Sequence, residues 1–218
     1  MMLAMHDNIR ALTFDLDDTL WDNRPVLKAA EQSLYDWLAD HYPGIKRHYS
    51  LEDMQQLRRD LLQRDPALRH DVNTLRKTSL RIAAETAGYD DSLVERAFAV
   101  FLEARHRVTL YNDVEPALKS LRDAGYCLGT LTNGNADVHH IGIGHYFDFV
   151  VTAAGGRRQT RHGLTGPLKN LVHVNGACAL GQVRHHAMDL GVGNESPVDP
   201  FRHRRARRQI EHVAVAEQ

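Results

Sequence analysis

The chain lacks several features that would assign it to a class at once. Its 218 residues hold two cysteines, Cys127 and Cys178, too few for a disulfide framework and without the spacing of a zinc site. No apolar run reaches the roughly 18 residues of a membrane helix. Residues 1–10 lack the basic start and apolar stretch of a secretory signal, so the expectation is a soluble, cytoplasmic protein. A net charge of −1 gives the chain as a whole no bias toward polyanions. What is present is 43% hydrophobic residues, enough to bury one good core and a smaller module.

The near-zero charge hides an asymmetry. Residues 155–218 carry ten Lys/Arg, five Asp/Glu and six His, which leaves 17 basic and 23 acidic residues for 1–154. The last third is rich in Gly, Arg and His and has little apolar periodicity. Its Arg202–Arg208 run is a basic arm without a recognition motif or interleaved aromatics, and it reads as a solvated tail rather than a nucleic-acid site.

The informative stretch is Ile9–Leu20, an apolar run ending in Asp15, Asp17 and Thr19. The run reads as a buried strand closed by a polar turn. Carboxylates two residues apart at a strand end share a side and repel unless a cation or a proton sits between them. Metal-assisted attack on a phosphate needs such a pair. Asp18 and Thr19 are assigned to the turn rather than to chemistry.

After that strand come about 90 residues with helical spacing. Pro25 fits a first helical turn, and Val26, Ala29, Leu34, Trp37 and Leu38 recur up to Tyr42-Pro43-Gly44, read as a stop. Ser50 and Asp53 form a near capping box. Asp71 opens a helix with Val72, Leu75 and Leu80 inward, and Asp90-Asp91 caps a fourth from Leu93. A further helix ends at Gly125. Strands are expected at Cys127–Leu131, leading to Thr132-Asn133-Gly134, and at Tyr146–Val151. This alternation predicts an α/β fold with a doubly wound parallel sheet. Ligands of such sheets bind at the carboxyl ends of the strands. The expected division is a core of residues 1–20 and 110–218 with a helical cap of 21–109.

At these residues the chain resembles the haloacid dehalogenase (HAD) superfamily. Asp15-Leu16-Asp17-Asp18-Thr19 matches its first motif, Asp-x-Asp-x-Thr, and Thr132-Asn133 after an apolar strand matches its second. A closer similarity, over about 9–151, rests on residues 15–26, His70-Asp71-Val72, Thr132–Asn135 and Gly144–Val150. It is to bacterial HAD phosphatases that act on flavin mononucleotide or the riboflavin precursor 5-amino-6-(5-phosphoribitylamino)uracil.

The resemblance implies a Mg²⁺-dependent phosphatase for a small phosphate ester. In it Asp15 is the nucleophile that forms an aspartyl-phosphate, and Asp17 protonates the leaving oxygen. Thr132 and Asn133 hold the phosphoryl oxygens. Asp15 and Asp17 bind Mg²⁺, with Asn194 and Asp199 as further ligands. Asn194 stands where the family has an acid, so one anionic charge is lost there. Asn23, Arg24, His70 and Asp71 face the site as cap-side candidates, although capping and surface roles account for them. A dehalogenase on the same scaffold also uses Asp15 but needs no acid at Asp17. A catalytically impaired remnant of the family is the other alternative.

The family's third motif, a Lys before Pro, is missing after Val151, where Gly155–His162 offers only arginines. Permissible codons for that stretch, shifted by one base, spell Val-Ala-Ala-Gly-Lys-Pro-Asp. The tail from 155 is therefore read as frame-shifted or poorly packed, and the coding DNA tests this: if no one-base change restores Lys-Pro, the reading is dropped.

Overall fold

A computed structural model describes residues 11–152 and the strand backbones of 156–159 and 171–174. The chain is mixed α/β. Five strands, β1 (Ala11–Phe14), β2 (Cys127–Thr132), β3 (Phe149–Thr152), β4 (Gly156–Gln159) and β5 (Leu171–Val174), form one sheet of order β4-β3-β2-β1-β5. All neighbours run parallel except β3 and β4. All four residues of β1 are buried, as a strand flanked on both edges in a covered parallel sheet requires.

The register decides what sits at the carboxyl edge. Phe14 pairs with Thr130 and Thr132 with Thr152. Asp15, directly after β1, and Thr132, the last residue of β2, therefore emerge at one end of adjacent strands. Gly129 permits the close approach of β2 and β3, because a Cβ there would lie 2.2 Å from the Phe149 ring.

Between β1 and β2 lie six helices: α1 (Asn23–His41), α2 (Pro43–His48), α3 (Leu51–Arg64), α4 (Val72–Thr86), α5 (Leu93–Arg105) and α6 (Val114–Asp123). A short α7 (Val138–Ile141) follows β2. Among the described residues two apolar clusters result. One joins Leu12, Phe14, Leu16 and Trp21 to Leu118 and Leu121 of α6 and to Phe147. The other joins Leu34 and Leu38 of α1 to Leu80, Phe98 and Phe101 within the helical block. Each fully buried Leu or Phe contributes about 1.5–3 kcal/mol, so each cluster has its own stabilising core. Among the described residues no helix is long and apolar enough to cross a membrane.

Several expected boundaries shift. Tyr42-Pro43-Gly44 ends α1, but Pro43 also opens α2, since its fixed φ suits a first turn. The third strand begins at Phe149, not Tyr146. Residues Gly144–Tyr146 form a 3₁₀ turn, and Arg122 Nη1 donates to the carbonyls of His145 and Tyr146, which holds that turn off the sheet. On α4, Val72 is exposed rather than inward. On α1 it is Ala30, not Ala29, that is buried. The N-cap of α5 is Ser92, with Asp90 accepting from the Ser92 N–H instead. The Ser50–Asp53 capping box is present with both bonds, and Asp71 caps α4 through the Thr74 N–H.

Candidate active site

The strand end at Phe14 leads into a tight turn made by the sequence itself. The Thr19 and Leu20 N–H groups both donate to the Leu16 carbonyl, at 3.2 and 2.9 Å. Asp18 takes the left-handed conformation, φ 57°, which Asp tolerates better than most residues. Its carboxylate accepts from the Asn23 N–H at 2.9 Å, so Asp18 and Asn23 serve the turn. Leu16, Leu20 and Trp21 are fully buried and pin the loop on both sides. Asp15 and Asp17 are both half-buried, open enough to meet a ligand.

Asp17 is held firmly. Its Oδ1 accepts from Trp21 Nε1 at 3.1 Å and from Arg105 Nη2. Arg105 is the last residue of α5 and is 1% exposed. Thr132 is 2% exposed, and its Oγ1 accepts from the Gly134 N–H at 3.0 Å. A hydroxyl that accepts one bond still has its proton to donate. A Cβ at Gly134 would lie 2.8 Å from Asp17 Oδ2, 3.4 Å from Thr132 Oγ1 and 3.9 Å from Arg105 Nη2. Four chemically distinct groups thus converge on one spot: a carboxylate, a hydroxyl, a guanidinium and a bare stretch of backbone. Asn133 is exposed beside them.

The helical block meets the sheet edge at further polar contacts. Asn135 Nδ2 donates to Asn73 Oδ1 at 2.9 Å. The His106 and His140 rings stack at 4.4 Å between centroids, and His140 bonds Glu103 at 3.0 Å. Burial, and then the neighbouring His140, push His106 below its ordinary value. Deeper in the block, Glu31 pairs with Arg58 and Arg76. Arg76 lies 3.5 Å over the Phe101 ring. It is pushed down to about 10, chiefly by burial, with Arg58 and, as a smaller contribution, Arg105 adding repulsion. Excess positive charge therefore backs the site from the helical side.

Asn194 and Asp199 lie outside the described residues, and so do the basic arm and most of the stretch read as frame-shifted. Of that stretch, Arg157 and Arg158 fall on β4 opposite Val151 and Val150. Among the described residues no group of three or more His, Cys, Asp or Glu could enclose a metal by itself. A divalent ion such as Mg²⁺ does not need one, because it keeps several waters and takes one or two protein carboxylates. Asp15 and the Asp17 carbonyl are all-oxygen donors at one strand end, and so fit that ion. Arg24 is exposed, and Asp71 is occupied as a cap.

Arg105, Trp21 and Gly134 were not legible as site residues from sequence. One signal was there for Arg105: it continues the buried stripe of α5, four residues after Phe101, where a cation without a polar task is out of place.

The haloacid dehalogenase-like hydrolase family profile matches residues 9–161. The chain belongs to this family. It is 32% identical over 189 residues to the 5-amino-6-(5-phospho-D-ribitylamino)uracil phosphatase YigB of Escherichia coli, covering 84% of this chain and 76% of that one. The glyceraldehyde 3-phosphate phosphatase of Methanopyrus kandleri is 26% identical over 149 residues, covering 66% of this chain and 61% of that one. Among solved structures, a 2-haloacid dehalogenase from Pseudomonas syringae pv. Tomato superposes with a TM-score of 0.62 at 41% identity. The match covers 67% of this chain and 64% of the dehalogenase. The HAD-like chain is thus a hydrolase whose relatives include both phosphatases and a dehalogenase.

Proposed function

We propose that this HAD-like hydrolase is a Mg²⁺-dependent phosphatase acting on a small phosphorylated metabolite, with flavin mononucleotide or 5-amino-6-(5-phosphoribitylamino)uracil as its substrate class. The observation that carries the reading is the pair of acids after β1. Asp15 follows the strand directly, and Asp17 stands two residues on, beside Thr132 of the neighbouring strand. The 32% identity to a phosphatase of a ribityl phosphate supports the substrate class. The division into a core of 1–20 and 110–218 and a cap of 21–109 belongs to the same reading, with Trp21 and Val26 of the cap range packed in the sheet's apolar cluster.

The roles are those that the family resemblance implies for these positions. Asp15 attacks phosphorus in line, forming an O–P bond as the ester oxygen leaves. Asp17 gives that oxygen a proton and later takes one from the water that opens the acyl phosphate. Trp21 fixes the Asp17 carboxylate in place. The Thr132 hydroxyl and the Asn133 N–H donate to the phosphoryl oxygens. Asp15 and the Asp17 carbonyl, with Asn194 and Asp199 as the further ligands the resemblance implies, would hold a Mg²⁺ ion, which would neutralise charge between the anionic nucleophile and the anionic substrate.

A second reading, halide displacement, draws on the 41% identity to a 2-haloacid dehalogenase. A departing halide needs no proton, so Asp17 would have no task in that reaction, whereas an alkoxide leaving group does need one. Turnover of p-nitrophenyl phosphate and of 2-chloropropionate, each with and without Mg²⁺, separates the two. The phosphatase reading predicts metal-dependent release of nitrophenol and no chloride. Chloride release alone overturns it, and no turnover of either substrate identifies a catalytically impaired member of the family.

A further inference from the structure

We propose that Arg105 binds the substrate's phosphoryl group, so that the helical block contributes a cation to the site at the strand ends. This rests on the reading of the site as a phosphate site and names a further residue in it. Arg105 is 1% exposed, and one of its two terminal nitrogens, Nη2, holds Asp17. The other, Nη1, is buried with no hydrogen-bond partner among the described residues. A buried guanidinium N–H without an acceptor is costly, and an anion placed beside it removes that cost.

Position supports the same assignment. Nη2 lies 3.9 Å from where a Cβ at Gly134 would be, and Thr132 Oγ1 lies 3.4 Å from that point. The guanidinium therefore borders the same bare backbone as the hydroxyl assigned to the phosphoryl oxygens. A planar fork can donate to a carboxylate with one nitrogen and to a phosphate oxygen with the other. Charge points the same way. Asp15 and Asp17 bring two carboxylates to the strand ends, and the sequence has no lysine between Lys119 and Lys169. Arg105 is the described cation in ion-pair contact with Asp17, and Arg76 lies near enough to feel its charge. No bond to Arg105 forms or breaks. It donates hydrogen bonds, and its reach across to Asp17 ties the end of α5 to the end of β1.

The test is binding of inorganic phosphate to the full chain with Mg²⁺ present, followed by titration calorimetry, for the wild type, Arg105→Met and Arg105→Lys. The expectation is phosphate affinity about tenfold weaker or worse in R105M and intermediate in R105K. In Arg105→Ala, whose short side chain leaves room for the ion, added guanidinium should recover affinity. A purely structural tie would lower the melting temperature of both variants and leave the phosphate affinity of the folded fraction unchanged, without guanidinium rescue. If R105M does not fold, R105K decides: wild-type affinity in R105K overturns the proposal, as does a wild-type chain that binds no phosphate. Phosphate binding that depends on Arg105 in a chain without phosphatase turnover would sink the functional reading and leave this one standing. Wild-type turnover with Arg105-independent binding would do the reverse.

Discussion

At the scale of single residues the site is controlled by how tightly Asp17 is gripped. Its Oδ1 accepts from Trp21 and Arg105, and its Oδ2 lies against the backbone of Gly134. A methyl group at 134 would sit 2.8 Å from that oxygen, and the carboxylate cannot yield without leaving Arg105. Gly134→Ala is therefore expected to lower kcat by about 100-fold, the typical cost of misplacing a catalytic group by about 1 Å. The melting temperature should fall as well, since moving the Asp17 carboxylate off Arg105 leaves a buried guanidinium without its partner. Steady-state kinetics and a thermal melt on one preparation check this, and an unchanged kcat contradicts it. Glu31 sets a second expectation. Burial raises its carboxyl, but Arg58 and Arg76 outweigh burial, and it ends below the usual 4.5. The fold thus favours the ionised form. The stability it contributes is fully present above about pH 4.5 and is lost as pH falls through the lower, folded value. Melts from about pH 6 to pH 3 should fall more steeply for the wild type than for Glu31→Gln, which has no such carboxylate to protonate. Parallel slopes contradict the assignment.

At the scale of elements, much of the architecture could be read from local pattern. The Ser50–Asp53 box starts α3 because both reciprocal bonds are local. Asp71 starts α4 for the same reason. The strand after Gly125 was legible because its apolar run is short and sharply bounded. What escaped depended on distant partners. Tyr146 looks like strand until Arg122, 24 residues earlier, captures its carbonyl. Arg105 looks like a helix-terminal surface cation until α5 is laid against the β1 turn, 88 residues away in sequence. Gly129 looks like a weak point in a strand until the Phe149 ring is seen against it. That packing carries a prediction: Gly129→Ala places a Cβ 2.2 Å from the ring of a side chain that is 1% exposed. Overpacking at so buried a ring should cost about 1–3 kcal/mol. Denaturant unfolding measures it, and a variant as stable as the wild type would show that β2 and β3 do not meet in this register.

At the scale of the whole molecule, the described residues form two apolar clusters that meet partly through a seam of polar contacts. The sheet and the helical block each bury their own apolar cluster. Across the seam run Arg105 to Asp17, Asn135 to Asn73, and His140 to Glu103. The first of these seam contacts ends on a carboxylate of the strand-end pair, so the packing of the block against the sheet also holds one acid of the site. That arrangement explains why the acids at 15 and 17 identified the family from sequence alone, whereas the cation facing them did not. Motif residues are contiguous, but the seam exists only in the fold. Attack by Asp15 on phosphorus is tested by Asp15→Asn, which keeps shape and removes the nucleophile. With p-nitrophenyl phosphate and Mg²⁺, the wild-type chain should turn over and D15N should not, at an unchanged melting temperature. Equal turnover by the two chains would contradict it.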